Sequence, residues 1–474
     1  MGVDLHRNHT CIMVVSELVA TRHGIALKNV DLETISRIRR ELTVVPDVSP
    51  GMPPLPSYSL YTQTGSSFLV PHYWAIASFP EAKIRDERVP GQPIDVTFNG
   101  TLKESMNQPR AVAATLESLY THGGSVLSLR TGGGKTVCAL SIISTLKTKT
   151  LIIVNKVMLA AQWKQRIMQF TNARVSTIQG ATCDMSGDIV IALIQTLISR
   201  PWSHTSFDAF GFLVYDECHS VAAKAFGSTM KMLSFPYVLG LSATPRRRDG
   251  LERTIFYHLG PLSYMAPELK RRDVIVRALT YKCDAYNRPA PTNRIGGLDH
   301  AGLLGHLADN IDRTNFIVDL ALGDEFLGRD ILILSHRRAH CEDICALLNK
   351  KGADASTYLG GAKAVPTSRI LVATYALVGE GFDESRLTSL IFATPCSDIT
   401  QPIGRVMRGD SSVPPLVYDI VDAWGPCHVQ ASKRKKQYKA AGYTVYSSHG
   451  KPPPSRPAPP HTAAKRNFMF VEDA

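Results

Sequence analysis

No stretch of this 474-residue chain limits its fold more than Arg130-Thr131-Gly132-Gly133-Gly134-Lys135-Thr136. An apolar run, Ser125 to Leu129, leads into it, and a helical pattern, Val137 to Leu146, leads out. Strand, glycine turn, Lys-Thr, helix is the order of a phosphate-binding loop. Glycines let backbone N–H groups close around β- and γ-phosphates, Lys135 adds a mobile cation, and the Thr136 hydroxyl can reach Mg²⁺. The helix N-terminus contributes the positive end of its dipole. Leu129 stands where the longer G-x-x-x-x-G-K-[ST] pattern has its first glycine, so this is the shorter G-x-G-K-T form. Such a loop needs a buried strand behind it and a helix ahead, which commits this part of the chain to an α/β sheet.

The surrounding pattern agrees. Short runs rich in Val, Ile and Leu at 125–129, 150–154, 188–193, 211–215 and 238–242 alternate with helical stretches, and a second set follows at 331–335, 369–373, 389–393 and 416–420. Runs that are apolar on both faces are expected of parallel strands covered by helices. The predicted architecture is α/β, with parallel-sheet lobes at 96–265 and 301–446. A linker region at 266–300 joins them, where Lys270 to Asp273 and Arg288 to Gly297 interrupt the pattern. Residues 1–95 carry an amphipathic stretch from Asp31 to Leu42, prolines from Pro46 to Pro56 and alternating runs at Ser57 to Thr62 and Ser67 to Val70. They predict a small α+β accessory domain. The proline-dense segment 447–474 predicts a disordered tail.

Composition narrows the partners. With 44% hydrophobic and 20% charged residues the chain can fill cores of this size. Lys plus Arg at 53 against Asp plus Glu at 41 leave a net charge of +12, which favours a polyanion, nucleic acid first. The densest cluster, Lys433-Arg434-Lys435-Lys436 ahead of Tyr438, reads as a grip on nucleic-acid backbone, a nuclear address or a solvated helix face. Nine cysteines without a C-x-x-C pair suit a reducing compartment and argue against a zinc site. No apolar run reaches the roughly 18 residues of a membrane span, and Met1 to His6 holds no secretory core. A soluble intracellular protein without a membrane partner is expected.

Farther along, Gly211-Phe212-Leu213-Val214-Tyr215-Asp216-Glu217-Cys218-His219 is a buried strand that ends in two carboxylates. Asp216 at the tip can hold the Mg²⁺ shared with Thr136, and Glu217 can polarise an attacking water. Gly134-Lys135-Thr136, Asp216-Glu217-Cys218-His219, Ser242-Ala243-Thr244 and Gln401-x-x-Gly404-Arg405-x-x-Arg408 occur in the order of the superfamily 2 helicases, which the chain resembles. Gln162-Trp163 and the stretch Leu241 to Gly250 are similar to the group containing the xeroderma pigmentosum group B repair helicase. The front segment, from Leu42 to Leu102, is similar to the transcript-release DNA helicases of poxviruses and other large DNA viruses.

The resemblance implies two tandem RecA-like lobes, ATP and Mg²⁺ as cofactors, and double-stranded DNA as the track. It implies that Gln108 reads adenine, that Arg130, Thr131, Gly132, Gly133, Gly134, Lys135 and Thr136 hold the nucleotide, and that Gly381 and Asp383 approach it from the second lobe. Nucleic-acid contacts are implied for Gln195, Thr196, Ser335, Arg337 and Thr374, and for Arg247 and Arg248. His219, Ser242 and Thr244 are implied to couple hydrolysis to lobe movement. Gln401, Arg405 and Arg408 complete the catalytic set with Lys135, Asp216 and Glu217. Arginines three apart share a helix face and can reach γ-phosphate oxygens across a cleft in the manner of an arginine finger. Two departures stand out. Arg247-Arg248-Asp249 occupies the place where the repair group often has Arg-Glu-Asp, and Pro402 stands where the family often has Arg.

The expected function is ATP-driven movement on DNA, in viral transcription termination and transcript release or in DNA repair and recombination. Transcription machinery is then a partner and, for a viral chain, the host nucleus, the cytoplasm or the virion its place. Three alternatives stay open: a translocase that strips RNA or protein without separating strands, an RNA helicase, and a nucleotide-switched clamp that hardly hydrolyses.

Overall fold

The computed structural model describes residues 15–45, 56–130, 132–203, 205–219, 223–243, 251–267, 274–293, 296–360, 362, 364–379, 382, 384, 386–397, 399, 402–404 and 413–449. They form two compact units, divided after Pro267.

The first unit begins with a five-stranded sheet of Glu17–Thr21, Gly24–Leu27, Thr62–Thr64, Ser67–Val70 and Lys83–Asp86. The amphipathic stretch is the helix Leu32–Leu42, started by Asp31, whose carboxylate accepts from the Thr34 N–H at 2.7 Å. Its Ile38 and Leu42 pack with Leu18, Ile25, Phe68 and Trp74. Lys231 Nζ donates to the Ser59 and Tyr61 carbonyls at 2.9 and 3.0 Å, and Arg22 meets Asp208 at 2.7 Å. The boundary expected at residue 95 therefore separates two folds that pack as one unit.

An eight-stranded sheet follows, in the order Thr182–Cys183, Val175–Gln179, Ile189–Leu193, Thr150–Val154, Phe212–Tyr215, Tyr237–Ser242, Gly124–Ser128 and Leu262–Met265. Only the edge strand Thr182–Cys183 runs antiparallel to its neighbour. Every residue of Gly124–Ser128, Thr150–Val154, Ile189–Leu193 and Phe212–Tyr215 is buried. Helices on both faces explain why these strands read as largely apolar runs.

The second unit is a seven-stranded, fully parallel sheet in the order Ala355–Tyr358, Ile370–Thr374, Ile331–Ser335, Ser389–Phe392, Leu416–Asp422, Ile275–Tyr281 and Thr444–His449. Two expectations are corrected here. Ile275–Tyr281 falls inside the expected linker at 266–300, yet it pairs with strands on both sides. Only Val276 and Leu279 among its side chains are buried, so the continuous apolar signal is missing. Thr444–His449 likewise continues past the expected end of the lobe at 446, and residues 450–474 of the expected tail lie outside the described residues.

Two buried ion pairs anchor this unit. Arg313 binds Asp422 through Nε at 2.6 Å and Nη2 at 3.0 Å, and its Nη1 donates to the Ala393 carbonyl at 2.6 Å. Arg434 grips Asp419 through Nε and Nη2 and donates to the Cys396 carbonyl at 2.8 Å, while the Tyr438 hydroxyl donates to Asp419 at 2.8 Å. The basic cluster is thus split. Arg434 is fully buried in the helix Gly425–Ala440, whereas Lys433, Lys435 and Lys436 are exposed.

Candidate active site

The strand Gly124–Ser128 runs into the glycine turn, and the helix Lys135–Leu146 leaves it. Leu129 N–H donates to the Ser242 carbonyl at 3.1 Å, fixing the start of the turn against the neighbouring strand. Gly132 and Gly134 have φ of 80° and 84°, and a Cβ on Gly134 would lie 2.2 Å from Gln108 Nε2. Conformation and space both require glycine there. Gln108 is buried at the head of the helix Gln108–His122. Its Nε2 donates to the Gly133 carbonyl at 3.1 Å and its Oε1 accepts from the Lys103 N–H at 2.8 Å. The amide expected to read adenine is here bound to the turn's own backbone.

Phe212–Tyr215 delivers Asp216 and Glu217 beside that turn. Lys135 Nζ lies 2.8 Å from Glu217 Oε1, with both side chains largely shielded. Glu217 has φ of 46°, the left-handed region that side-chain-bearing residues occupy at a cost of about 1–2 kcal/mol. Strain of this kind gathers at functional positions. Asp216 is buried and accepts from the Trp163 indole N–H at 2.7 Å and from the Glu217 N–H at 2.9 Å. Burial first, and then the Glu217 carboxylate, push its pKa well above the usual carboxylate range, with Lys135 opposing. His219 Nδ1 lies 2.8 Å from Ser242 Oγ and 3.5 Å from Glu217 Oε2. Lys135, Glu217, His219 and Ser242 therefore form a polar chain across the ends of three adjacent strands.

No group of three or more His, Cys, Asp or Glu among the described residues is placed to hold a metal ion by itself. Mg²⁺ does not need one, since it keeps waters and takes one or two protein oxygens plus phosphate. Asp216 and Thr136 are oxygen donors of the right hardness. A carboxylate that burial and a like charge hold against ionisation gains most from a cation placed beside it.

The remaining expected residues divide. Gln195 is exposed, its Nε2 donating to the Asn155 carbonyl at 3.0 Å, and Thr374 ends the strand Ile370–Thr374 half-buried. Arg337 is accessible, with Nη2 on the Ala301 carbonyl. Two side chains are corrected as contacts for nucleic acid. Thr196 is buried with its hydroxyl accepting from the Gly180 N–H at 3.0 Å. Ser335 is fully buried, its hydroxyl 3.0 Å from His340 Nδ1 and accepting from the Arg337 N–H at 3.2 Å. Thr131, Thr244, Arg247, Arg248, Gly381, Asp383, Gln401, Arg405 and Arg408 lie outside the described residues. Trp163 was not among the expected site residues. A buried aromatic with a polar N–H on an otherwise apolar helix face was the available signal.

The family described as "Type III restriction enzyme, res subunit" matches residues 101–247, the span that holds this whole cluster. A protein named "Putative ATP-dependent RNA helicase" from Acanthamoeba polyphaga mimivirus is 29% identical over 441 residues, covering 88% of this chain and 84% of that one. A "Putative helicase" of Invertebrate iridescent virus 6 is 28% identical over 381 residues, covering 74% and 84%. A DNA 3'-5' translocase of Sulfurisphaera tokodaii is 32% identical over 139 residues, covering 29% and 31%. No helix among the described residues is long and apolar enough to cross a membrane.

Proposed function

We propose that the chain is an ATP-hydrolysing superfamily 2 helicase that moves along double-stranded DNA, with transcript release or DNA repair as its setting. The observation that carries the mechanism is the Lys135–Glu217 pair at 2.8 Å. Incoming phosphates draw Lys135 Nζ away from Glu217, because they offer more negative charge to a mobile cation. Glu217 is then free to orient water while its left-handed backbone holds the carboxylate at the strand tip. Asp216 and Thr136 would hold Mg²⁺, which when bound neutralises charge on the phosphate oxygens. Trp163 keeps the Asp216 carboxylate in one orientation. His219 and Ser242 pass the state of Glu217 to the end of Tyr237–Ser242.

Gln401, Arg405 and Arg408 are assigned the stabilisation of the transferred phosphoryl group, with Gly381 and Asp383 near the nucleotide. Gln195, Arg337, Thr374, Arg247 and Arg248 are assigned to phosphate backbone. A second reading, RNA as the track, is favoured by the name of the mimiviral relative.

The test is ATP turnover with no nucleic acid, single-stranded DNA, duplex DNA and RNA at stated salt, since phosphate contacts are salt-sensitive. Duplex DNA should stimulate at least about tenfold, a change of ~1.4 kcal/mol in barrier. Stimulation by RNA alone replaces the DNA reading with the second one. Tight nucleotide-dependent binding of nucleic acid without turnover would make the chain a clamp.

A further inference from the structure

The helix Gly425–Ala440 has an inward and an outward side of opposite character. Cys427, Arg434 and Tyr438 are buried, and the Arg434–Asp419 pair fixes the helix in rotation. Gln437 adds a second hold, accepting from the Ile399 N–H at 3.1 Å and donating to the Ser397 carbonyl at 2.8 Å. The opposite side carries Lys433, Lys436 and Lys439, with Lys435 beside them, all exposed. A three-residue repeat places the first three in one row, about 9 Å from end to end at 1.5 Å per residue.

The helix contains no Asp or Glu. Among the described residues none of the four lysines pairs with a carboxylate. A face that serves only solubility mixes both signs, and like charges four apart, as at Lys435 and Lys439, destabilise a helix slightly. The helix dipole favours cations in the last turn, which accounts for Lys439 and leaves Lys433 unexplained. We propose that this lysine row is an accessory binding site for duplex DNA, contacting its phosphate backbone.

Duplex is the form that fits. Single-strand sites combine positive charge with aromatic platforms for stacked bases, and the one Phe, Tyr or Trp of this helix, Tyr438, is buried. Lysines are point charges that suit a continuous line of phosphates, one per about 1.7 Å of duplex axis. An anionic membrane is disfavoured, because a surface-lying helix needs an exposed apolar face and this one exposes a single large apolar side chain, Val429.

The inference rests on the proposed function. Its test measures binding of the full chain to a short duplex across a salt series, comparing wild type with the combined variant Lys433→Gln, Lys435→Gln, Lys436→Gln and Lys439→Gln. The log–log salt slope should become shallower by about 3 to 4 units, near 0.9 for each lost contact. Affinity for single-stranded DNA and turnover without DNA should stay within about twofold, which is ~0.4 kcal/mol. The Lys433→Gln and Lys436→Gln double variant should give about half the slope change, and arginine at all four positions should restore it. An unchanged slope in a folded variant overturns the site and leaves the proposed function standing. Failure of the wild type to bind duplex at all overturns both. Wild-type binding to phosphatidylserine vesicles as tight as to duplex, and lost with the lysines, makes the face a membrane site instead.

Discussion

Two aspartates at the ends of parallel strands have opposite surroundings. Asp422, closing Leu416–Asp422 in the second unit, is clasped by the Arg313 guanidinium through two hydrogen bonds and receives a third from the Tyr286 hydroxyl at 2.7 Å. Asp216, just past Phe212–Tyr215 in the first unit, has an indole N–H and a backbone N–H, with a second carboxylate as its neighbour. Both are buried. Only Asp422 has its charge matched in direct contact within the fold. A buried carboxylate answered by arginine is complete as structure, whereas one held up by burial and like charge has capacity left for a cation from outside.

The largest effects should come from disturbing the incomplete side. Lys135→Ala should lower turnover by roughly 10³ or more with the fold retained, in the range seen when a transition-state charge loses its partner. Full turnover in that variant would remove the loop from the chemistry. Glu217→Gln should lower turnover by roughly 10² to 10⁴ while nucleotide affinity moves only a few fold, about 1 kcal/mol. A variant unable to bind nucleotide would show that Glu217 is a ligand and not an orienting group.

On the complete side the readout is stability. Arg313→Ala leaves Asp422 buried and without its cation, so denaturant unfolding of the second unit should lose about 3–5 kcal/mol. Asp216→Asn, by contrast, should hold or raise stability by ~1 kcal/mol while abolishing turnover, the trade expected of a strained site. Equal destabilisation by both would erase the distinction drawn between the two aspartates.

A smaller effect follows from pH. His72 and His258 line one cavity of the first unit with Lys231, and burial holds both near 3, below the ordinary 6.5; Arg88 adds to the shift at His72 and Lys231 to that at His258, while Asp86 opposes it at His72. Because they fold neutral, their contribution is present above pH 6.5 and declines as pH falls towards 3. At pH 5 each should subtract about 2 kcal/mol, and His258→Phe should flatten the acid limb of a melting series. Smallest of all, Ser335→Ala should lose about 1 kcal/mol of stability with unchanged nucleic-acid affinity. A selective drop in affinity would return Ser335 to the surface role its motif suggested.

Legibility in the sequence followed locality. The runs at 125–129, 150–154 and 331–335 gave strands within a residue of their observed bounds, because both faces are buried and most positions are apolar. Val175–Gln179 and Ala355–Tyr358 were missed, lying near sheet edges where half the side chains are polar or partly exposed. The phosphate turn and the Asp216-Glu217 tip were readable as motifs, since their chemistry sits on consecutive residues. Arg434 was not, because its burial depends on Asp419 on another element. The same holds for Trp163 and Asp216, 53 positions apart, and for the Gln108 amide, which reaches a carbonyl 25 positions away.

The place of Ile275–Tyr281 in its sheet bears on how the chain can be made. This strand is the first of its unit to leave the ribosome, yet its two neighbours, Leu416–Asp422 and Thr444–His449, are among the last. It must stay unpaired through the synthesis of nearly the whole unit, with both hydrogen-bonding edges open to other nascent chains. Late closure of this kind is slow and exposed to aggregation. Expression of the second unit alone should therefore begin before Ile275 and run through His449, and a stop codon ahead of Thr444 should yield insoluble protein even though it spares every sequence motif named above.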